Sequence, residues 1–471
     1  MAAIVVTGSG MGGLIAAMLL AQDGHEVTVV ERDGATPPPP DEAWESWQRR
    51  GVNQFRLLHF FLPRFRAELE RELPQVPKAL DDAGALRFNP LTSVPEEIKG
   101  PVRPGDDEFE SVTGRRPVVE AAVAAVAEVT PGVTVRRGVA IDGLRTGASA
   151  VKGVPHVTGV RTETGEEIAA DLVVDATGRR SPLPTWLEAA GARRPAEELE
   201  DCGFVYYGRH FRSSDGSVPP IIGPLLQAYG SISVLTLPAD NGTWGVGLIA
   251  SAKDKAMLAL RDPVTWTAVL RTLPLAAHWG DGEPLEDRVL VMAKIEDRHR
   301  DFEPDGVPVA TGVAALADSW ACTNPSLGRG ASMAVVHSLA LRDTIRSVDL
   351  DDPGTFQAAW AQATAASVEP WYRATLFFDR HRLAEIDAIM RGETYAPEGP
   401  EWDEIQGLGF ASGQDGDCLR ALLSIFGLKG TPDDALSAPG VFDKVVTVGA
   451  GWRDAPPLGP SRGEVLSIVA A

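Results

Sequence analysis

Ala3-Ile4-Val5-Val6-Thr7-Gly8-Ser9-Gly10-Met11-Gly12-Gly13 opens the chain with an apolar run that breaks into a glycine-rich turn, and Leu14 to Gln22 and Glu26 to Glu31 follow. The run predicts a buried strand, Leu14 to Gln22 has helical composition, and Glu26 to Glu31 alternates as a second strand. Strand, turn, helix and strand make a βαβ nucleotide-binding start. Each glycine has its own reason: Gly8 permits the tight turn, Gly10 lets a pyrophosphate approach the backbone, and Gly13 lets helix pack on strand. Glu31, ending the second strand, is placed to accept hydrogen bonds from an adenosine ribose.

Two later stretches extend this reading. Asp171-Leu172-Val173-Val174-Asp175-Ala176-Thr177-Gly178-Arg179-Arg180-Ser181 is an apolar strand that runs into a small-residue turn, where Ala176, Thr177 and Gly178 leave room for a dinucleotide near the backbone. Ala317-Asp318-Ser319-Trp320-Ala321-Cys322-Thr323-Asn324-Pro325-Ser326-Leu327-Gly328-Arg329-Gly330-Ala331-Ser332 then places an Asp at the end of an apolar strand, before a Pro-x-x-Gly-x-Gly loop that opens a helix. That arrangement suits the ribityl chain of a flavin and aims backbone N–H groups at its ring. The dinucleotide expected is therefore FAD.

The 471 residues exceed what one core usually organises, so two or more lobes are expected. A net charge of -21 argues against nucleic acid and against an anionic membrane surface, both of which call for basic patches. Cys202, Cys322 and Cys418 are widely spaced and form no CxxC pair, which predicts neither a disulfide framework nor a metal site and fits a reducing cytoplasm. The apolar N-terminus has no basic region before it and is interrupted by glycines, so it is not read as a signal peptide. No apolar run reaches the roughly 20 residues a bilayer requires, and no membrane insertion is expected.

Along the chain, Phe55 to Leu73 carries apolar residues at helical spacing, Arg116 to Val129 reads as an Ala-rich helix, and Val133 to Val135 as a strand. Val157 to Ile168 reads as a hairpin turning at Thr164-Gly165. Phe204 to Phe211, Ser231 to Leu237 and Thr243 to Ala250 are strand-like runs separated by Asp-Gly and Asn-Gly turns, an antiparallel sheet. Pro263 to Leu273 is helical and Arg288 to Ile295 strand-like. The expected α/β architecture is a discontinuous Rossmann-like FAD-binding domain (1–88, 108–195 and 296–350), an antiparallel-sheet substrate domain (89–107 and 196–295) and a helical C-terminal region (351–471).

With these motifs in order, the chain resembles the FAD-dependent oxidoreductases of the p-hydroxybenzoate hydroxylase fold, the class A flavoprotein monooxygenase group, also called the GR2 type. Gly51-Val52-Asn53-Gln54-Phe55-Arg56-Leu57-Leu58-His59 is similar to a further stretch of related flavoproteins. The resemblance implies that Asp318 holds the ribityl hydroxyls. Pro325, Gly328 and Gly330 then form a loop whose helix N-terminus stabilises negative charge on the flavin pyrimidine. It makes Arg116 a flavin contact, with Arg115 as its close rival, and places Arg32 and Arg56 on the cofactor side. Family members usually have Gly-Asp where this chain has Ala317-Asp318, which predicts a slightly displaced loop, and Ser332 stands where an Asn is usual.

The activity implied is an FAD-dependent monooxygenase of the secondary-metabolism kind. It would hydroxylate or epoxidise an apolar aromatic or polycyclic small molecule, with NAD(P)H as transient reductant and O2 activated as the C4a-hydroperoxyflavin. In such chemistry the protein mainly orients substrate and excludes water. His59, Gln54, Tyr206 and His210 are the catalytic candidates, with Tyr207 and Arg209 also on elements able to line the cavity, and packing or hydrogen bonding is the competing role for each. Cys322 is read as a small buried hydrophobe and Trp320 as core filling. A flavin-dependent halogenase shares the fold, but its WxWxIP signature is missing from this sequence. A flavoprotein reductase of prenyl-like double bonds is the other alternative, and a homodimer is left open.

Overall fold

The computed structural model describes residues 1–49, 51–52 and 54–471, so Asn53 of the stretch quoted above lies outside the described residues. Five parallel strands form the first sheet, in the order Val313–Ala315, Leu172–Asp175, Ala3–Thr7, Glu26–Glu31 and Val133–Arg137. Their continuous apolar runs follow from burial on both faces. Ile4 and Val6 point into one core with the helices Met11–Gln22, Arg116–Val129 and Gly330–Ser347. Val5 points into the other with Val173, Trp186 and Leu187. The first strand runs into the glycine turn and the Val313–Ala315 strand leads to Asp318 in the short turn beyond it, so both motifs open from the C-terminal end of the parallel strands.

The second large sheet is antiparallel and runs Leu226–Tyr229, Ile232–Pro238, Thr243–Ser251, Phe204–Arg212, with the short Glu283–Pro284 and Leu290–Met292 both on the outer edge of the last strand. Asn241 and Gly242 both take positive φ (52° and 66°) at the turn into Thr243–Ser251, the requirement of a tight hairpin. The strand period of two divides Phe204–Arg212 cleanly. Tyr206, with Leu235, Leu237, Ile249 and Met292, faces Leu57 and the long helix Glu369–Arg391. Tyr207 and Phe211 face Trp266 and Leu270 on the other side. Among the described residues the remaining β structure is two three-stranded sheets, Ala196–Asp201 with Glu296–Asp301 and Ala321–Cys322, and Ile141–Val151 with Val154–Thr162 and Glu167–Ala169, and the antiparallel pair Leu86–Phe88 with Ser111–Thr113.

Two expectations change, and one strand is added. The helical pattern from Phe55 yields a helix only over Pro63–Glu72, because Pro63 takes the first helical position and the residues before it run as a loop. The Arg288 to Ile295 run forms a strand only at Leu290–Met292. Ile141–Val151 is a long strand without a sequence signal, since its second half is exposed and does not alternate. Among the described residues no helix is long and apolar enough to cross a membrane, and no cluster of three metal-ligating side chains occurs.

Candidate active site

The glycine turn has the local geometry that its sequence dictates. Gly8 sits at φ +100°, and a Cβ there would stand 2.7 Å from the Ala176 carbonyl oxygen. A Cβ on Gly13 would stand 2.3 Å from the Gly8 carbonyl oxygen, whereas one on Gly10 would meet nothing within 4 Å. Two of the glycines are thus spent on packing and the third opens a gap beside the backbone. The helix it opens, Met11–Gln22, has no side-chain cap and no acidic residue in its first turn, which leaves its first N–H groups free for an anion.

Asp175 organises the second turn. It is fully buried, and its carboxylate accepts from Thr177 N at 3.0 Å, Thr177 Oγ1 at 2.6 Å and the Ser181 hydroxyl. Gly178 N donates to Ser319 Oγ at 2.9 Å, which ties this turn to the segment carrying Asp318. Asp318 is exposed, and its side chain makes no hydrogen bond or ion pair with any described residue. The surrounding protein pushes its pKa up, and Arg116 and Arg179 partly offset this.

Ala317, the residue before Asp318, adopts φ +51°, in the left-handed region that favours glycine. That costs an L-residue about 1–2 kcal/mol. His337 supports it: Ala317 N donates to His337 Nδ1 at 3.0 Å, and His337 Nε2 meets Thr364 Oγ1 at 3.0 Å. Burial drives the His337 pKa down to about 3, so the ring is neutral, and with Nδ1 accepting, its proton sits on Nε2. Beyond Asp318, Gly328 is left-handed at φ +65°, and a Cβ on Gly330 would meet nothing within 4 Å. The helix Gly330–Ser347 has no side-chain cap, and the Ser332 hydroxyl within it is buried without a partner. Pro325 opens the short 3-10 turn before it.

A chain of charges connects the two ends. Glu31 accepts from Ser9 N (3.0 Å), Ser9 Oγ (2.8 Å) and Arg49 Nη2 (2.9 Å) on one oxygen, and from Asp33 N alone (2.9 Å) on the other. Burial raises its pKa, but Asp33 N, Arg49 and Ser9 outweigh that and hold it low. Arg49 continues to Glu120 at 2.7 Å, and Glu120 to Arg116 at 2.5 Å. Glu120 is buried, which would raise its pKa, yet the two arginines bring it down to about 2. Arg116 Nη1 reaches His59 Nε2 at 3.3 Å, and His59 Nδ1 faces the Leu57 carbonyl at 2.9 Å. A carbonyl only accepts, so Nδ1 carries the proton and Nε2 accepts from Arg116. Burial, then Arg116, lowers the His59 pKa to about 3, which makes it a neutral support for Arg116.

Several assignments shift. Arg56 does not join this chain; its guanidinium lies 4.8 Å from the centre of the Trp44 ring and Nη2 donates to Trp47 O, with Arg115 also 4.8 Å from Trp44. Arg115 pairs with Asp240 at 2.7 Å, which leaves Arg116 as the arginine associated with Asp318. Arg32 is exposed. Arg49, which the sequence pattern did not single out, takes the central place; its only signal was a basic pair just before Gly51. Tyr206 is held under the loop by its hydroxyl, which donates to Asn324 Oδ1 at 2.6 Å. His210 is buried edge-on to Trp44 at 4.8 Å with Nδ1 unpartnered, and Gln54 is half-buried in the loop. The strand alternation turns Tyr207 and Arg209 toward Trp266, on the face opposite Tyr206. All three cysteines are free and buried, and Trp320 packs among His299, His337 and Tyr372.

On the face toward Leu57, Gly208 and Gly247 pair across the two central strands with Gly245 beside them, and Leu58 fills the hollow: a Cβ at Gly208 or Gly245 would stand 2.5 or 2.8 Å from it. The apolar face is therefore closed by the stretch that carries His59.

Residues 6–36 match the family model of the NAD(P)-binding Rossmann-like domain. The chain is 28% identical over 407 residues to protein Rv3254 of Mycobacterium tuberculosis, covering 81% of each. It superposes on PqsL of Pseudomonas aeruginosa, a probable FAD-dependent monooxygenase, with a TM-score of 0.59 at 17% identity over 82% of this chain and 97% of that one. The chain has the fold of the FAD-dependent monooxygenases. A variant of Klebsiella pneumoniae HpxO complexed with FAD gives a TM-score of 0.55 at 15% identity, covering 95% of this chain and 99% of the other, and flavin-dependent halogenases share the architecture.

The residues present fit FAD. Gly10 and Gly330 leave open space beside two uncapped helix N-termini, Asp318 offers an unpaired carboxylate between them, and Glu31 keeps an oxygen with a single donor.

Proposed function

We propose that the chain binds FAD from Glu31 to Gly330 and acts as a monooxygenase, inserting oxygen from O2 into an apolar aromatic or polycyclic small molecule with NAD(P)H as reductant. The observation that carries this is Asp318: an exposed carboxylate without a partner among the described residues, beside an uncapped helix N-terminus. A carboxylate that no protein group occupies keeps its lone pairs free to accept from a ligand's hydroxyls. Bound there, FAD supplies the redox and oxygen chemistry.

The chain's own residues bind and orient. Glu31 accepts from the adenosine ribose, the first N–H groups after Gly10 bind pyrophosphate, and Asp318 accepts from the ribityl hydroxyls. The start of Gly330–Ser347 offers N–H groups and a positive dipole end to the flavin pyrimidine. Arg116, fixed by Glu120 and neutral His59, points its charge toward Asp318 and balances that carboxylate. Leu57, Leu235, Leu237, Ile249 and Met292 exclude water from the substrate side.

The test begins with FAD uptake by the purified chain, followed by NAD(P)H oxidation and oxygen consumption with apolar aromatic substrates. Oxygen consumed in proportion to product is the expected result. Product that depends on added halide supports a halogenase instead, and anaerobic turnover supports a reductase. Failure to take up FAD refutes the reading.

A further inference from the structure

The segment between Asp318 and the helix Gly330–Ser347 is gripped from three sides by buried polar groups that the cofactor site does not use. From the antiparallel sheet, Tyr206 donates to Asn324 Oδ1 at 2.6 Å. From the strand Glu296–Asp301, Asp297 Oδ1 accepts Asn324 N at 2.6 Å. From the helix Glu369–Arg391, Asp379 Oδ1 accepts Ser326 Oγ at 3.0 Å. Asn324, Asp297 and Asp379 are each 2% exposed.

The cluster is incompletely satisfied. Asp379 Oδ2, Asn324 Nδ2 and Arg329 Nε have no partner. Arg329 is 4% exposed and lies at the head of the Gly330–Ser347 helix, where the dipole disfavours a cation. It donates to Thr375 Oγ1 at 2.9 Å and lies 5.4 Å from the centre of the Trp371 ring, with no carboxylate in ion-pair range among the described residues. A buried cation needs a counter-charge, and Asp379 is the acid whose field reaches it. Asp297 in turn opposes ionisation of Asp379. Two acids and one guanidinium in a water-excluded site are neutral with one proton on the pair, and carry one positive charge with two.

We propose that Asp379 and Asp297 form a buried acid pair that positions the flavin loop through Ser326 and Asn324, and that takes up one proton from solvent when a bound flavin gains negative charge. Asp379 is here a positioning residue. This rests on the FAD reading above. Hydride transfer from NAD(P)H adds two electrons and one proton to the flavin and leaves it one charge more negative. The pair then forms one further O–H bond with a solvent proton, and no bond in the chain breaks. The resulting positive charge lies behind the helix N-terminus that faces the flavin pyrimidine, and offsets the added negative charge.

Burial raises Asp379 to about 7 and Asp297 to about 6, so both acids can exchange protons near neutrality. The other groups acting on the pair are Glu200 and Asp201 on the neighbouring strand, Arg380 on the same helix as Asp379, and Cys202, Tyr206 and Tyr372, which burial holds protonated. The Asn324 amide lies near enough to favour ionised Asp379, so the proton on the pair and the grip on the loop change together.

The test is the midpoint potential of the FAD-loaded chain as a function of pH, measured spectroscopically in wild type, Asp379→Asn and Asp297→Asn. One extra proton per two electrons steepens the wild-type slope by about 30 mV per pH unit. Both variants are expected to lose that increment above about pH 7 while staying yellow. A common slope in all three overturns the proposal, and Asp297→Asn decides alone if Asp379→Asn fails to fold. A second arm uses the cofactor-free chain: the infrared band of a protonated carboxyl is expected in wild type at mildly acidic pH and lost on titration to pH 8. Its absence refutes the shared proton. Failure of wild type to bind FAD overturns the flavin reading instead, and the infrared arm still decides the acid pair.

Discussion

Gly10→Ala separates a cofactor role for the glycine turn from a folding role. Gly10 has φ -69° and ψ 167°, which any residue adopts, and an added Cβ meets no atom within 4 Å. Replacing glycine at a helix N-cap by alanine costs about 0.5–1 kcal/mol, and the stiffer unfolded chain returns about 0.4–1 kcal/mol. The variant should therefore unfold within about 1 kcal/mol of wild type in urea. The same methyl stands where a pyrophosphate must approach the first N–H groups of Met11–Gln22. Loss of a charged hydrogen bond there is worth about 2–3 kcal/mol, or roughly 30- to 150-fold in FAD affinity by fluorescence titration. Gly13→Ala is the control, because its Cβ would stand 2.3 Å from the Gly8 carbonyl oxygen and the main chain must move. It should cost about 3 kcal/mol or more in stability. Wild-type FAD affinity in Gly10→Ala, or a stability loss equal to that of Gly13→Ala, would refute the reasoning.

Ala317→Gly should stabilise the cofactor-free chain by about 0.5–1 kcal/mol, since relief of a left-handed alanine outweighs the entropy of the added glycine; a lower urea midpoint would show that the conformation is not strained. Glu120→Gln leaves the largely buried Arg49 and Arg116 without their shared counter-charge and should cost about 3–5 kcal/mol, checked by urea unfolding at pH 7, where a loss below 1 kcal/mol would contradict the network. Glu120 is held near 2, below its unfolded value, so it stabilises the chain above about pH 4.5 and that contribution, about 3 kcal/mol, fades as pH falls toward 2. Asp379 runs the other way: raised to about 7, it binds a proton more tightly folded than unfolded, so its stabilisation is complete below about pH 4 and is lost as pH rises through 7. Asp379→Asn should remove up to about 4 kcal/mol of that decline, and parallel stability curves for both proteins between pH 5 and 8 would count against it.

The backbone of the nucleotide-binding lobe was readable because its constraints are local. Gly8 and Gly13 contact atoms of the adjoining strand and turns, and Ile4, Val5 and Val6 are apolar on both faces because both faces are covered. Arg49 was not readable, since its place depends on Glu31 and Glu120, residues from two other elements that meet only in the fold. Arg115 and Arg116 were indistinguishable in sequence for the same reason: Asp240, far along the chain in the antiparallel sheet, takes one and leaves the other. The helical pattern from Phe55 misled because its apolar side chains answer to the sheet face and not to a helix stripe, as Leu58 in the glycine hollow shows.

Ala317 brings the two kinds of information together. By sequence it is a departure from the glycine of related flavoproteins, and a local reading predicts a shifted loop. The positive φ persists because His337, on the helix that the loop opens, receives the Ala317 N–H, and is kept neutral and stacked on Trp360 at 4.6 Å. A charged His337 would have no lone pair at Nδ1 and could not hold the turn. The conformation of the turn that carries Asp318 is thus maintained by packing behind the loop, not by the residue that adopts it. This also accounts for the position of Arg329 and Asp379: the same helix head is gripped from behind by the acid pair, so the loop's geometry depends on buried groups remote in sequence from Asp318 itself.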